Sequence, residues 1–164
     1  MNGRLPAIFP GLAAGGFRET SPATSTYNCI AWAAARSDQW WEPDPHLQFF
    51  WPDGIGRQYT LPAYIAAYES VGFRICPSGE LEIFFEKIVV FVDGNGVPKH
   101  AARQLDTGKW TSKLGRDVDI EHANPLALSG QLYGQPTCFL RRPRRLDRLL
   151  LNLCRRVRTI LTWR

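Results

Sequence analysis

Tyr27-Asn28-Cys29-Ile30-Ala31-Trp32-Ala33-Ala34-Ala35 joins a Thr/Ser-rich loop to a run of small, helix-forming residues, with Cys29 at the junction. The first turn of a helix carries unpaired backbone N–H groups and a partial positive charge. A thiol placed there ionises more readily, and the thiolate is the reactive form. A cysteine nucleophile at a helix start is a working catalytic arrangement. The plainer alternative is a buried cysteine acting as a small hydrophobe. Ser25, Thr26 and Asn28 are the available caps, since their side chains can accept from the first free N–H groups. The pattern predicts a helix from about Asn28 to Arg36.

Upstream, residues 1–26 are rich in Gly, Pro, Ala, Ser and Thr and read as an irregular arm. Downstream, Trp40, Trp41, Phe49, Phe50 and Trp51 are interleaved with Pro43, Pro45 and Pro52, which forbid a long helix. Such aromatics either fold back as a satellite core or line a cleft. A second helix is predicted over 61–71, with Pro62 in its first turn, Tyr64, Ile65, Tyr68 and Val71 on one face, and Gly72 at its end. A short strand is expected at Phe73–Cys76. Lys87-Ile88-Val89-Val90-Phe91-Val92 is the strongest strand signal. Asp93-Gly94-Asn95-Gly96 turns the chain into a strand from Pro98 to Leu105, and Asp106-Thr107-Gly108-Lys109 turns it back into Trp110–Leu114. Residues 116–125 read as a polar loop, and Gln135–Leu140 as a last strand. Helices followed by an antiparallel meander define an α+β fold.

The net charge of +5 is unevenly spread. Residues 141–164 hold nine Arg and one Asp, which leaves residues 1–140 at −3. The basic character therefore belongs to the tail. Within 144–161, Leu146, Leu149, Leu150, Leu153, Val157, Ile160 and Leu161 recur at helical spacing, opposite Arg144, Arg145, Arg148, Arg155 and Arg158. The organisation expected is a domain over 1–142 and a basic amphipathic helix over 143–164. That helix suits a protein partner or an acidic membrane surface. A nucleic-acid partner is disfavoured by the acidic body and the lack of a stacking platform. Cys29, Cys76, Cys138 and Cys154 form no CxxC or CxxH pattern, so no metal or cofactor is expected and the thiols suit a reducing cytoplasm. No apolar stretch is long enough to span a bilayer, and the start lacks the order of a signal peptide.

A cysteine nucleophile needs a base whose ring is held by a third group. The histidines are His46, His100 and His122. His46 lies in the Pro-rich loop and His122 among Asp117, Asp119 and Glu121. His100 opens a strand whose hairpin partner carries Ser112.

These residues resemble the papain-like cysteine hydrolases of the NlpC/P60 type. Tyr27-Asn28-Cys29-Ile30-Ala31 is similar to their aromatic-Asp-Cys-small run, with Asn28 in place of Asp. His100 through Ser112 matches their histidine at a strand start, a Gly-containing turn and a third polar residue. The chain also resembles an uncharacterised family of small bacterial proteins that carry NCIAWA, HAARQL, WTSKLG and DIEH over about residues 27–142. The papain-like resemblance implies an N-terminal helix packed on an antiparallel sheet. It implies Cys29 as nucleophile and His100 as base, with Ser112 orienting His100. Asp119, Asp117 and Gln104 are rivals for the third place. Tyr27, Asn28, Trp32, Trp40, Trp41 and Gln104 would wall the substrate cleft. The expected activity is cysteine-dependent hydrolysis of a peptide, amide or acyl substrate, by a peptidase, amidase, deamidase or thioesterase. The alternative is a non-catalytic interaction module of the same fold that binds through its tail.

Overall fold

The computed structural model describes residues 4–144. The predicted C-terminal helix lies outside the described residues. In chain order, the elements are α1 (Arg4–Ile8), α2 (Pro10–Gly15), β1 (Phe17–Ser21), α3 (Cys29–Ala33), α4 (Leu61–Ser70), β2 (Arg74–Cys76), β3 (Phe85–Val92), β4 (Pro98–Gln104), β5 (Trp110–Lys113), β6 (Asp119–His122), a 3₁₀ turn (Pro125–Leu128) and β7 (Gln135–Pro143). The strands form one antiparallel seven-stranded sheet in the order β1-β6-β5-β4-β3-β7-β2. This is the expected α+β arrangement.

β3 sits inside the sheet, between β4 and β7, and nearly all of its residues are buried. Successive strand side chains point to opposite faces, so an apolar run of this kind needs a core on each side. It has both. Ile88 and Val90 pack with Ala101, Leu140, Ala31, Ala33, Tyr68 and Phe73 under α3 and α4. Val89 and Phe91 pack with Ala102, Trp110 and Ile120 under Leu5, Phe9, Leu12 and Leu128.

Two sequence readings are corrected. Residues 1–26 are not an irregular arm: they supply α1, α2 and edge strand β1. Residues 116–125 are not only loop, because Asp119–His122 form β6, paired with both β5 and β1. The helix at Cys29 is also shorter than its sequence suggests. Ala35 takes φ 62°, a left-handed conformation that halts the helix and sends the chain back toward Trp40 and Trp41. No helix among the described residues is long and apolar enough to cross a membrane.

Candidate functional site

Asn28 fixes the start of α3. Its Oδ1 accepts from Ala31 N–H at 3.1 Å and from Trp41 N–H at 3.3 Å, and its Nδ2 donates to the Trp41 carbonyl at 2.6 Å. One side chain therefore caps the helix and ties the aromatic segment to it. The stitch needs a donor as well as an acceptor, which an aspartate could not supply.

Cys29 follows, 9% exposed, on the wall of a pocket of about 410 Å³. The backbone N–H groups of Ala101, Cys29 and Ile30 face its sulfur. Burial pushes the thiol up to about 11, and those N–H groups offset only part of that rise. The first turn alone does not activate this thiol.

His100 is fully buried on β4, one residue before Ala101. Alternation turns Ala101 toward α3 and His100 toward the opposite face. There the imidazole stacks on Tyr133 at 4.0 Å and 6°, and meets Phe91 edge-on at 5.2 Å. Cys29 thus reaches the sheet beside Ala101 from one side, while the His100 ring lies on the other and does not line the pocket. Tyr133 touches both, stacking on His100 and walling the pocket. Gly134 permits this placement: at φ 77° it backs onto Val92, where a Cβ would collide with the carbonyl.

Ser112 stands between two histidines. His100 Nε2 is 3.1 Å from its Oγ, and His122 Nε2 is 3.0 Å from the same atom. His122 Nδ1 lies 2.8 Å from the Asn124 carbonyl, which can only accept. The tautomers follow. His122 carries its proton on Nδ1, so its Nε2 accepts from the Ser112 hydroxyl. Ser112 has then given its one hydrogen, and its oxygen accepts from His100 Nε2–H. His100 Nδ1 is left as a lone pair, buried and without a partner among the described residues. Both rings are neutral, since burial drives His100 down to about 3 and His122 down to about 4.

The other predicted residues divide. Trp40 and Trp41 join Asn28 and Cys29 in the pocket wall. Tyr27 and Trp32 stack on each other at 5.5 Å, and Trp32 Nε1 donates to Thr111 Oγ1. Gln104 donates to the Gly79 carbonyl at 2.7 Å and braces a turn. Asp119 lies across the sheet from Ser112, accepting from Tyr27 OH at 2.5 Å and Ser21 OH at 2.6 Å, with Lys113 Nζ at 3.7 Å. It does not touch His100. The acidic segment is likewise dispersed, for Glu121 pairs outward with Arg18 and Lys109. Among the described residues no group of three or more His, Cys, Asp or Glu is placed to hold a metal.

Sequence reasoning missed Tyr133, Glu42, Tyr59 and Tyr64 in the pocket, and His122 beside Ser112. It also missed Lys113, fully buried on the α3 side with its Nζ 5.3 Å from the centre of the Tyr27 ring. Burial lowers the Lys113 ammonium, against the pull of Asp119, Asp117 and Cys29.

Residues 18–141 match a family described as a domain of unknown function (DUF7689), and the chain belongs to that family. No curated protein and no solved structure matches the chain.

Proposed function

We propose that this chain is a papain-like cysteine hydrolase of the NlpC/P60 type, acting on a peptide, amide or other acyl bond, with Cys29 as nucleophile and His100 as general base. The observation that carries this reading is the unpartnered Nδ1 lone pair of His100. Its ring is held through Nε2 by Ser112 on the face of the sheet opposite the thiol, one residue before Ala101, whose N–H faces the Cys29 sulfur. An oriented imidazole with one free basic nitrogen is what a thiol nucleophile requires. Ser112 fills the third position, with His122 behind it.

In this reading substrate moves the Tyr133 ring, which walls the pocket and covers His100. With Tyr133 displaced, the His100 ring, which rests on the face of the sheet opposite the thiol, has to reach Cys29; the Cys29 proton then passes to its Nδ1 as sulfur bonds to the carbonyl carbon. The oxyanion is met by backbone N–H groups beside the sulfur. The carbonyl–leaving group bond then breaks, and the leaving group takes the proton from His100. Water, deprotonated by the same nitrogen, cleaves the thioester and restores the thiol. Ser112 can accept from the imidazolium but brings no charge, so the ion pair forms only during reaction.

A non-catalytic binding module is the second reading. The resting states favour it, with the thiol up at about 11 and the imidazole down at about 3. Turnover assays with peptide, amide and thioester substrates, read with intact mass for an acyl adduct on Cys29, separate the two. Cys29→Ala should abolish turnover, and His100→Ala should lower it roughly 10²–10⁴-fold, the usual contribution of a positioned base. Turnover that survives Cys29→Ala, or no adduct with any of the three classes, overturns the hydrolase reading.

A further inference from the structure

Glu42 stands in the same pocket as Cys29, half-buried, with its carboxylate fixed at both oxygens. Trp40 Nε1–H donates to Oε2 at 2.8 Å, and Tyr59 OH donates to Oε1 at 2.8 Å. Both donors are neutral. Among the described residues no cation lies within ion-pair distance of Glu42. The candidates are committed elsewhere. Arg57 pairs with Asp44 and reaches only the backbone carbonyl of Glu42. Lys99 also lines the pocket, but its ammonium pairs with Asp93 at 3.3 Å and makes no ion pair with Glu42. Arg116 lies over the Trp40 ring at 5.6 Å, with no ion pair to Glu42. The carboxylate is thus oriented by two neutral donors and has no ion-pair partner among the described residues. The pocket wall includes the aromatic rings of Trp40, Trp41, Tyr59, Tyr64 and Tyr133, and aromatic faces attract cations.

We propose that the pocket is a cation-recognition site, taking the ammonium or guanidinium of a basic acyl substrate against Glu42 while its carbonyl meets Cys29. The assignment of substrate class rests on the hydrolase reading; the cation preference of the pocket does not.

The test uses Cys29 as its own reporter. Three methanethiosulfonates are compared at about pH 9, where part of the thiol is ionised: 2-(trimethylammonio)ethyl (cationic at any pH), its neutral isostere 3,3-dimethylbutyl, and 2-sulfonatoethyl (anionic). The thiolate attacks the sulfenyl sulfur, an S–S bond forms and methanesulfinate leaves. Rates are read on the Cys29 peptide by mass spectrometry, apart from Cys76, Cys138 and Cys154, and each is divided by the rate with free 2-mercaptoethanol. The cationic reagent should outpace the neutral one by roughly three- to thirtyfold, as expected for a cation beside a carboxylate and ring faces. The anionic reagent should be slowest. Added salt should shrink the spread in the unmodified protein, and Glu42→Gln should abolish it. Equal normalised rates in the unmodified protein overturn the proposal, as does a cation preference that persists in Glu42→Gln. Selectivity without any acyl turnover supports the cation site while sinking the hydrolase reading. Turnover with no charge selectivity does the reverse.

Discussion

Ser112 has one hydrogen to give and two imidazoles within reach, and the Asn124 carbonyl decides where it goes. In the relay that results every hydrogen has an acceptor when both rings are neutral; only the His100 Nδ1 lone pair goes unpartnered, and a proton resting there meets no acceptor among the described residues. This makes the pair a source of acid sensitivity. The folded pKa values, about 3 for His100 and about 4 for His122, lie below the ordinary histidine value of 6.5. The unfolded chain therefore takes up protons first as pH falls, and stability is lost on acidification. The contribution is whole above about pH 6.5 and drains as pH drops toward the folded values, at no more than about 1.4 kcal/mol per pH unit for each ring. Carboxylates held low by their partners, such as Asp93 and Glu82, lose stability only in more acidic solution. The interval from about pH 6.5 to 5 thus belongs to the histidines. Urea unfolding across it should show a steady fall in midpoint. A flat profile there means that neither ring is buried neutral as described.

At the scale of the element, α3 is five residues long and its hold on the molecule comes from its cap rather than its length. Asn and Asp cap helices about equally well in general, yet here they should not be equivalent. In Asn28→Asp the acceptors for Ala31 and Trp41 N–H remain, but the donor to the Trp41 carbonyl is lost and a carboxylate oxygen faces that carbonyl. We expect a loss of roughly 1–3 kcal/mol, the cost of leaving a buried polar group unmatched, with a change in tryptophan emission as the Trp40–Trp41 segment loosens. An aspartate variant as stable as the parent would show the donor to be immaterial. The elements readable from sequence were those with local signals. β3 was a continuous apolar run, α4 had Pro62 and Gly72 at its ends, and the β3–β4 and β4–β5 turns carried glycine. β1 and β6 had no such signal. Phe17–Ser21 and Asp119–His122 are polar segments paired with each other across about a hundred residues, so neither announces itself without the other. That gap hid the group behind Ser112 as well. Cys29, His100 and Ser112 could be nominated from spacing, but His122 could be aimed at Ser112 only once β6 placed it on the same face.

The molecule as a whole is a sheet with a core on each side, and the second core is closed by residues that lie before the family-matched segment, 18–141. Leu5, Phe9 and Leu12 are all but inaccessible there. Phe9 also stacks on Tyr133 at 5.0 Å, and Tyr133 in turn stacks on His100. Gly11 lies so close to Ala127 that a Cβ would clash with its backbone. α1 and α2 therefore form a fitted cover, and the cover reaches the ring that separates the pocket from the imidazole. Phe9→Ala should act at both ends of that chain. Loss of a buried phenylalanine typically costs about 3–5 kcal/mol, a large share of the ~5–15 kcal/mol that holds a domain together. The same change removes the ring against which Tyr133 is braced, so Cys29 should be labelled faster by a small neutral alkylating agent under conditions where the variant is still folded. Urea unfolding gives the first quantity, and labelling of the Cys29 peptide at low urea gives the second. A midpoint within error of the parent would mean that α1 and α2 merely rest on the domain. A destabilised variant with unchanged labelling would keep them as cover but uncouple Phe9 from Tyr133, leaving the Tyr133–His100 stack held by Gly134 and Phe91 alone.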